Sequence, residues 1–186
     1  AFGAKAEALG KVTFTNATRT GGAALWATQG GTLAFNGTSD ASGSTIVLDQ
    51  GANSQGGGLL DLSSRSSDLT VGLLESNGSG ALNGVVNLGS NSLVLDGAGV
   101  ASPFQGAIQG SGGLTMAGTG TQVLSGAHVF DYTGATRIQS GTLAVQNAAI
   151  GKDAAGNWKV FQIGAPGQPG GTLDVSGGGF TLGGIS

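Results

Sequence analysis

Short units of the form apolar-x-apolar recur along the whole chain. They run from Val12 to Phe14, Leu33 to Phe35, Ile46 to Leu48, Leu60 to Leu62, Leu69 to Val71, Val86 to Leu88 and Leu93 to Leu95. The second half continues with Leu114 to Met116, Thr121 to Val123, Leu143 to Val145, Phe161 to Ile163, Leu173 to Val175 and Phe180 to Leu182. A period of two marks strands with one buried face, and no apolar stripe of helical spacing interrupts it. Each unit is cut short by Gly, Asn, Ser or Asp. The pattern predicts an all-β chain with almost no helix.

Strands this short cannot bury much by pairing as isolated hairpins, and the Asn-Gly steps at Asn36-Gly37, Asn77-Gly78 and Asn83-Gly84 lack cleanly alternating flanks. They suit a β-solenoid, where each coil stacks on its neighbours to complete one continuous core. Self-similarity supports this. "LLDLSSRSSDLTVGLLESN" from Leu59 returns as "TLDVSGGGFTLGGIS" from Thr172, and "GTLAF" at Gly31 returns as "GTLAV" at Gly141. Alternation then places Asp61, Asp174, Ala34 and Ala144 on the solvent side. The expectation is a single segment over residues 1–186, a parallel β-helix of about six to eight coils with a period of roughly 20 to 30 residues.

Glycine changes the picture most, at 39 of 186 residues with three prolines. In "GSGGLTMAGTGTQVLSGAHVFDYTGATRIQSGTLAV", residues 110–145, the glycines are dispersed. A phosphate loop gathers its glycines in one turn at a helix N-terminus, whereas a corner-turning chain needs one every few residues. Net charge is −3 with seven dispersed Lys and Arg, so nucleic acid is excluded as a partner. With no cysteine and His128 as the single histidine, neither a thiolate nor a histidine metal cluster can form. No apolar run is long enough to cross a membrane as a helix. The opening "AFGAKAEALG" lacks the apolar stretch of a secretion signal, as expected of a mature segment or a fragment.

Residues 110–145, in "GSGGLTMAGTGTQVLSGA" followed by "YTGATRIQSGTLAV", resemble the passenger-associated transport repeat of Gram-negative autotransporters. The preceding "VVNLGSNSLVLDGAGVASPFQGAIQ" is similar to the rung that leads into it. Met116, His128 and the longer "HVFDYTG" turn depart from the family pattern. The resemblance implies a right-handed parallel β-helix exported to the cell surface, or secreted, through a C-terminal outer-membrane translocator barrel. It also implies a part in adhesion, aggregation or virulence, with a host cell-surface molecule or another passenger copy as partner. No cofactor is implied.

The alternative is a carbohydrate-active β-helix, a polysaccharide lyase or glycosidase, which needs neighbouring carboxylates. Asp40 and Asp61, Glu75 and Asp96, Asp131 and Asp153, and Asp153 and Asp174 are each spaced by about one coil. If stacked, they would lie near the separation of glycosidase carboxyl pairs. Ten acidic residues give such spacings by chance, so no catalytic residue is assigned. "GTSDA" around Ser39 misses the nucleophile elbow, and His128 with Asp131 reads as a solvated loop. Thr13, Thr70, Thr115 and Thr181 reflect β-propensity more than an ice-binding array. Trp26 reads as a side chain packed on a coil. The candidate interaction loop is "GKDAAGNWKVFQIGAPGQPGG", residues 151–171, with Lys152, Asp153, Trp158, Lys159 and Phe161. A tryptophan beside cations suits stacking on a sugar or a partner's side chain, as at binding hot spots; the alternative is a protruding hairpin packed on its own Trp158 and Phe161.

Overall fold

A computed structural model describes residues 5–16, 18–49, 56–76, 84–101, 103–126, 130–147, 156–164, 167 and 170–177. In chain order the strands are β1 (Lys5–Ala8), β2 (Lys11–Phe14), β3 (Ala24–Thr28), β4 (Thr32–Phe35), β5 (Ala41–Asp49), β6 (Leu59–Asp61), β7 (Leu69–Glu75) and β8 (Val85–Asn87). They continue as β9 (Leu93–Leu95), β10 (Ala107–Gln109), β11 (Leu114–Met116), β12 (Thr121–Leu124), β13 (Thr136–Ile138), β14 (Ser140–Gln146), β15 (Phe161–Ile163) and β16 (Gly170–Gly177). Among the described residues there is no helix. Odd-numbered strands form one eight-stranded sheet, β2 to β10 a second of five, and β12, β14 and β16 a third of three. Every pairing is parallel, so the chain is a β-solenoid, as the apolar-x-apolar units and corner glycines predict.

Stacking is what makes such short strands stable. In the first sheet Leu69, Leu93, Leu114, Thr136 and Phe161 lie in one column, and Val71, Leu95, Met116, Ile138 and Ile163 in another. Both columns point inward. In the second sheet Val12, Leu33, Leu60, Val86 and Ile108 do the same. Apart from polar Thr136 and the half-open Ile163 of the last coil, these side chains form one continuous core along the solenoid, and those with coils on both sides have almost no solvent exposure. Ladder partners lie 19 residues apart at Lys5 and Ala24, 21 at Leu93 and Leu114, and 30 at Ala144 and Asp174, because corners absorb insertions while the strands keep register.

One column shows why aligned corners require glycine. Gly58, Gly84 and Gly106 precede the strands of the second sheet, one above another. A Cβ on Gly84 would lie 2.5 Å from the Gly58 carbonyl oxygen, and one on Gly106 would lie 1.9 Å from that of Gly84. No side chain fits. The coils approach through bare backbone here, as a repeat with aligned corners demands.

Three expectations are corrected by the register. Ala34 and Ala144 are buried, although neither belongs to the core. They occupy outward positions, but a methyl group sinks between taller neighbours, Thr13 and Asp61 around Ala34, Val123 and Asp174 around Ala144. The apolar-x-apolar reading of Thr121 to Val123 turns Gln122 outward, whereas Gln122 is fully buried and Leu124 is its inward companion. Finally, the matching sequences occupy different faces: "LLDLSS" supplies β6 of the second sheet and "TLDVSG" supplies β16 of the third. What they share is a corner. Asp61 Oδ1 accepts from the Ser63 amide at 3.1 Å, and Asp174 Oδ1 from the Ser176 amide at 2.9 Å. The strand at Phe180 to Leu182 lies outside the described residues.

Candidate interaction surface

The coil connecting β14 to β15 is pinned to the core by aromatic and cationic side chains. Tyr132 is fully buried, and its hydroxyl shares a 2.5 Å hydrogen bond with Thr136 Oγ1 at the start of β13. Burial pushes the Tyr132 phenol well above its ordinary pKa, partly opposed by that hydrogen bond, so the ring stays neutral. Lys159 lays its ammonium group 3.2 Å from the centroid of the Tyr132 ring and donates to the Tyr132 carbonyl oxygen. A cation over an aromatic face is attracted by the ring quadrupole, more so when partly desolvated. Phe161 meets Phe130 edge to face at 5.8 Å, and Phe130 in turn lies 6.3 Å from Tyr132.

The backbone is fixed as well. The Thr136 amide donates to the Val160 carbonyl at 2.9 Å, and the Gly164 amide to the Ile138 carbonyl at 2.8 Å. With Lys159 and Phe161 turned to the core, Trp158 and Val160 face solvent at 49% and 55% exposure. Ile163, stacked on Ile138, is also 55% exposed. The candidate loop therefore divides: Phe161 is packing, Lys159 is an anchor, and Trp158 is displayed. Lys152 and Asp153 lie outside the described residues.

The other candidate chemistry falls out of register. Asp61 has Ala34 and Asn87 as its ladder neighbours, and Asn87 donates to it at 3.1 Å. Asp40 pairs instead with Arg19 and caps the corner at Ser42, whose hydroxyl and amide hold its carboxyl below the usual range. Glu75 lies beside Val47, and Asp96 accepts from the Gly43 amide at 3.3 Å. Asp174 is flanked by Ala144. Asp153 and His128 are outside the described residues, so pairs containing them have no described geometry. Ser39 Oγ donates to the Asn36 carbonyl and accepts from Arg65, which makes it a corner group. No group of three or more potential metal ligands comes together among the described residues. Thr70 and Thr115 do share an outward column of the first sheet, but Val94 separates them. Trp26 sits half-buried on the outer side of that sheet, between Glu7 and Val47.

Sequence reasoning passed over a second set of residues. Arg65 donates to the carbonyl oxygens of Ser39, Ser67 and Asp68 at 2.8 to 2.9 Å, locking successive corners together. Burial lowers the pKa of its guanidinium, which remains a cation. Asn91, one coil on, donates to the carbonyls of Leu62 and Arg65. Neither has a signal in sequence. A lone arginine in a Ser-rich run reads as solvated until its own turn supplies two carbonyls and the corner below a third.

Comparison with known proteins adds one match: residues 114–145 fit the family model described as Passenger-associated-transport-repeat. These residues run from β11 into β14, alternating twice between the first sheet and the third, together with the Tyr132 corner. No curated protein and no solved structure matches the chain.

Proposed function

We propose that this segment of an autotransporter passenger is both shaft and interaction surface, serving adhesion or aggregation outside the cell. The passenger reading is supported by the repeat at residues 114–145 and by the β-solenoid that contains it. That family implies export to the cell surface or secretion, and a C-terminal translocator in the full-length protein. The shaft role follows from the core, which is continuous from coil to coil.

The single observation that carries an interaction role is the displayed pair Trp158 and Val160 on a base fixed by Lys159, Phe161 and Tyr132. A large aromatic held rigid before binding loses little conformational entropy when a partner covers it. The partner is a host cell-surface molecule or another passenger copy, on the face formed by residues 156–163. The test uses cells displaying the full passenger with Trp158→Ala and Val160→Ser together. Cell aggregation and adhesion to host cells should both be scored at equal surface abundance. Loss of either supports the reading and identifies the partner class. Retention of both would sink it.

A further inference from the structure

Gln122 is a fully buried polar side chain in a run of aliphatic neighbours. The coil beneath it does not offer a plain strand. Val100 bridges Thr121 and Phe104 bridges Leu124, so residues 100–104 oppose the shorter stretch 121–124. The flanking ladder bonds survive: the Ala101 amide donates to the Thr121 carbonyl at 2.9 Å, and the Phe104 amide to the Val123 carbonyl at 3.0 Å. Between the two bridges the lower coil therefore carries one residue more than the coil above, the count of a bulge. A bulge leaves a residue out of the ladder.

The consequence falls on β7, a further coil down. Gln122 Oε1 accepts from the Leu74 amide at 3.0 Å, and Nε2 donates to the Leu74 carbonyl at 2.7 Å and to the Val123 carbonyl at 3.1 Å. A primary carboxamide presents a planar acceptor and donors much as a peptide group does. Buried backbone groups are almost always paired, so Leu74 needs a partner wherever the neighbouring coil withdraws. We infer that Gln122 is a surrogate rung: its side-chain amide replaces the peptide that the bulge at 100–104 removes from the ladder. The ladder above β7 thus stays satisfied although the coil between carries an extra residue.

Amide exchange followed by nuclear magnetic resonance on the 186-residue chain tests this. In the wild type, the Gln122 carboxamide protons and the Leu74 amide should both exchange slowly. In Gln122→Leu, which keeps the bulk and removes the polar atoms, the Leu74 amide should exchange about tenfold faster or more, the scale of one net hydrogen bond. The amides of β9 and β11 should change less. Solvent-rate exchange of the wild-type carboxamide would overturn the inference even if the variant does not fold. Unchanged Leu74 protection in the variant, or a uniform loss across all coils, would overturn it equally.

Discussion

The coils of the passenger repeat and the coil that follows them use glycine in opposite ways. Within the repeat, glycine is a contact residue. A Cβ on Gly134 would lie 2.3 Å from the Gly112 carbonyl oxygen, and one on Gly118 would lie 2.2 Å from that of Gly97. In the following coil Gly156, Gly164, Gly167 and Gly170 all have positive φ, and an added Cβ would meet nothing within 4 Å. These four serve the local turn alone, whereas Gly171, where the coil stacks back on the repeat, is a contact residue: a Cβ there would lie 2.4 Å from the Ile138 carbonyl oxygen. The side chains agree: Leu114, Ile138 and Leu143 are sealed inside, whereas Trp158, Val160 and Ile163 stand open. The repeat is shaped by its neighbours above and below, and the open corners of the next coil by their own turns. Display needs the second kind of coil, and a continuous shaft needs the first.

The largest break in that comparison should come from charge inside the repeat. Leu143 is fully buried between Gln122 and Leu173. Leu143→Asp places an unpaired carboxylate in a stacked core, where it costs several kcal/mol or takes up a proton. Because each coil is held by its neighbours, loss of exchange protection should spread to β12 and β16. Protection lost only within β14 would mean the coils are not coupled as described.

The contrast between the two glycine classes is tested by matched alanines. At Gly112 a Cβ would meet the Asn91 carbonyl oxygen at 1.7 Å, so the backbone must move. Gly112→Ala should cost about 3 kcal/mol, the upper range of overpacking. Gly164→Ala, at φ +85° in open space, meets only the left-handed strain of roughly 1–2 kcal/mol. Denaturant midpoints for the two variants decide it. Equal losses would erase the distinction between contact and turn glycines.

A smaller effect is expected at the anchor beneath the displayed tryptophan. Tyr132→Phe keeps the ring under Lys159 and the contact with Phe130, and removes only the hydroxyl bonded to Thr136. The loss should be about 1 kcal/mol by chemical denaturation, with Trp158 fluorescence unchanged. A large fluorescence change would show that the hydroxyl, and not the ring, holds the loop.

How far the sequence reveals this molecule depends on whether a residue's partner is local. The strands at Leu33, Leu69, Leu93 and Leu114 are legible because alternation is a local signal and every inward position is apolar. The strands β1, β3, β10 and β13 escape it, since Ala24 to Thr28 and Thr136 to Ile138 mix small, polar and apolar residues that only register with the next coil sorts. Ala34 and Ala144 mislead because burial there depends on the height of residues a coil away. Gln122 misleads more deeply, since its partner Leu74 is two coils off. At the candidate surface, a loop rich in Trp, Lys and Phe points to the right neighbourhood. Only the Tyr132 ring, far from Lys159 in sequence, separates anchor from displayed side chain.

The smallest effects are expected at the corner carboxylates, where sequence and structure agree on a local role. Asp40 and Asp174 both have their pKa lowered by hydrogen bonds from the serine two residues on. A carboxyl with a folded pKa below its unfolded value adds stability above the unfolded pKa and loses it as pH falls through the folded one. These corners should therefore weaken only in acid, below the ordinary carboxylate range, and be indifferent to neutral or alkaline pH. At neutral pH Asp174→Asn keeps an Oδ1 acceptor for the Ser176 amide, so exchange at Ser176 should match the wild type within error. Asp174→Ala removes the acceptor, and the same amide should exchange faster while β14, its ladder partner, is untouched. Faster exchange in Asp174→Asn as well would make the charge the important feature of the corner. Loss reaching into β14 would mean that the corner supports the coil, placing Asp174 among the contact residues of the repeat.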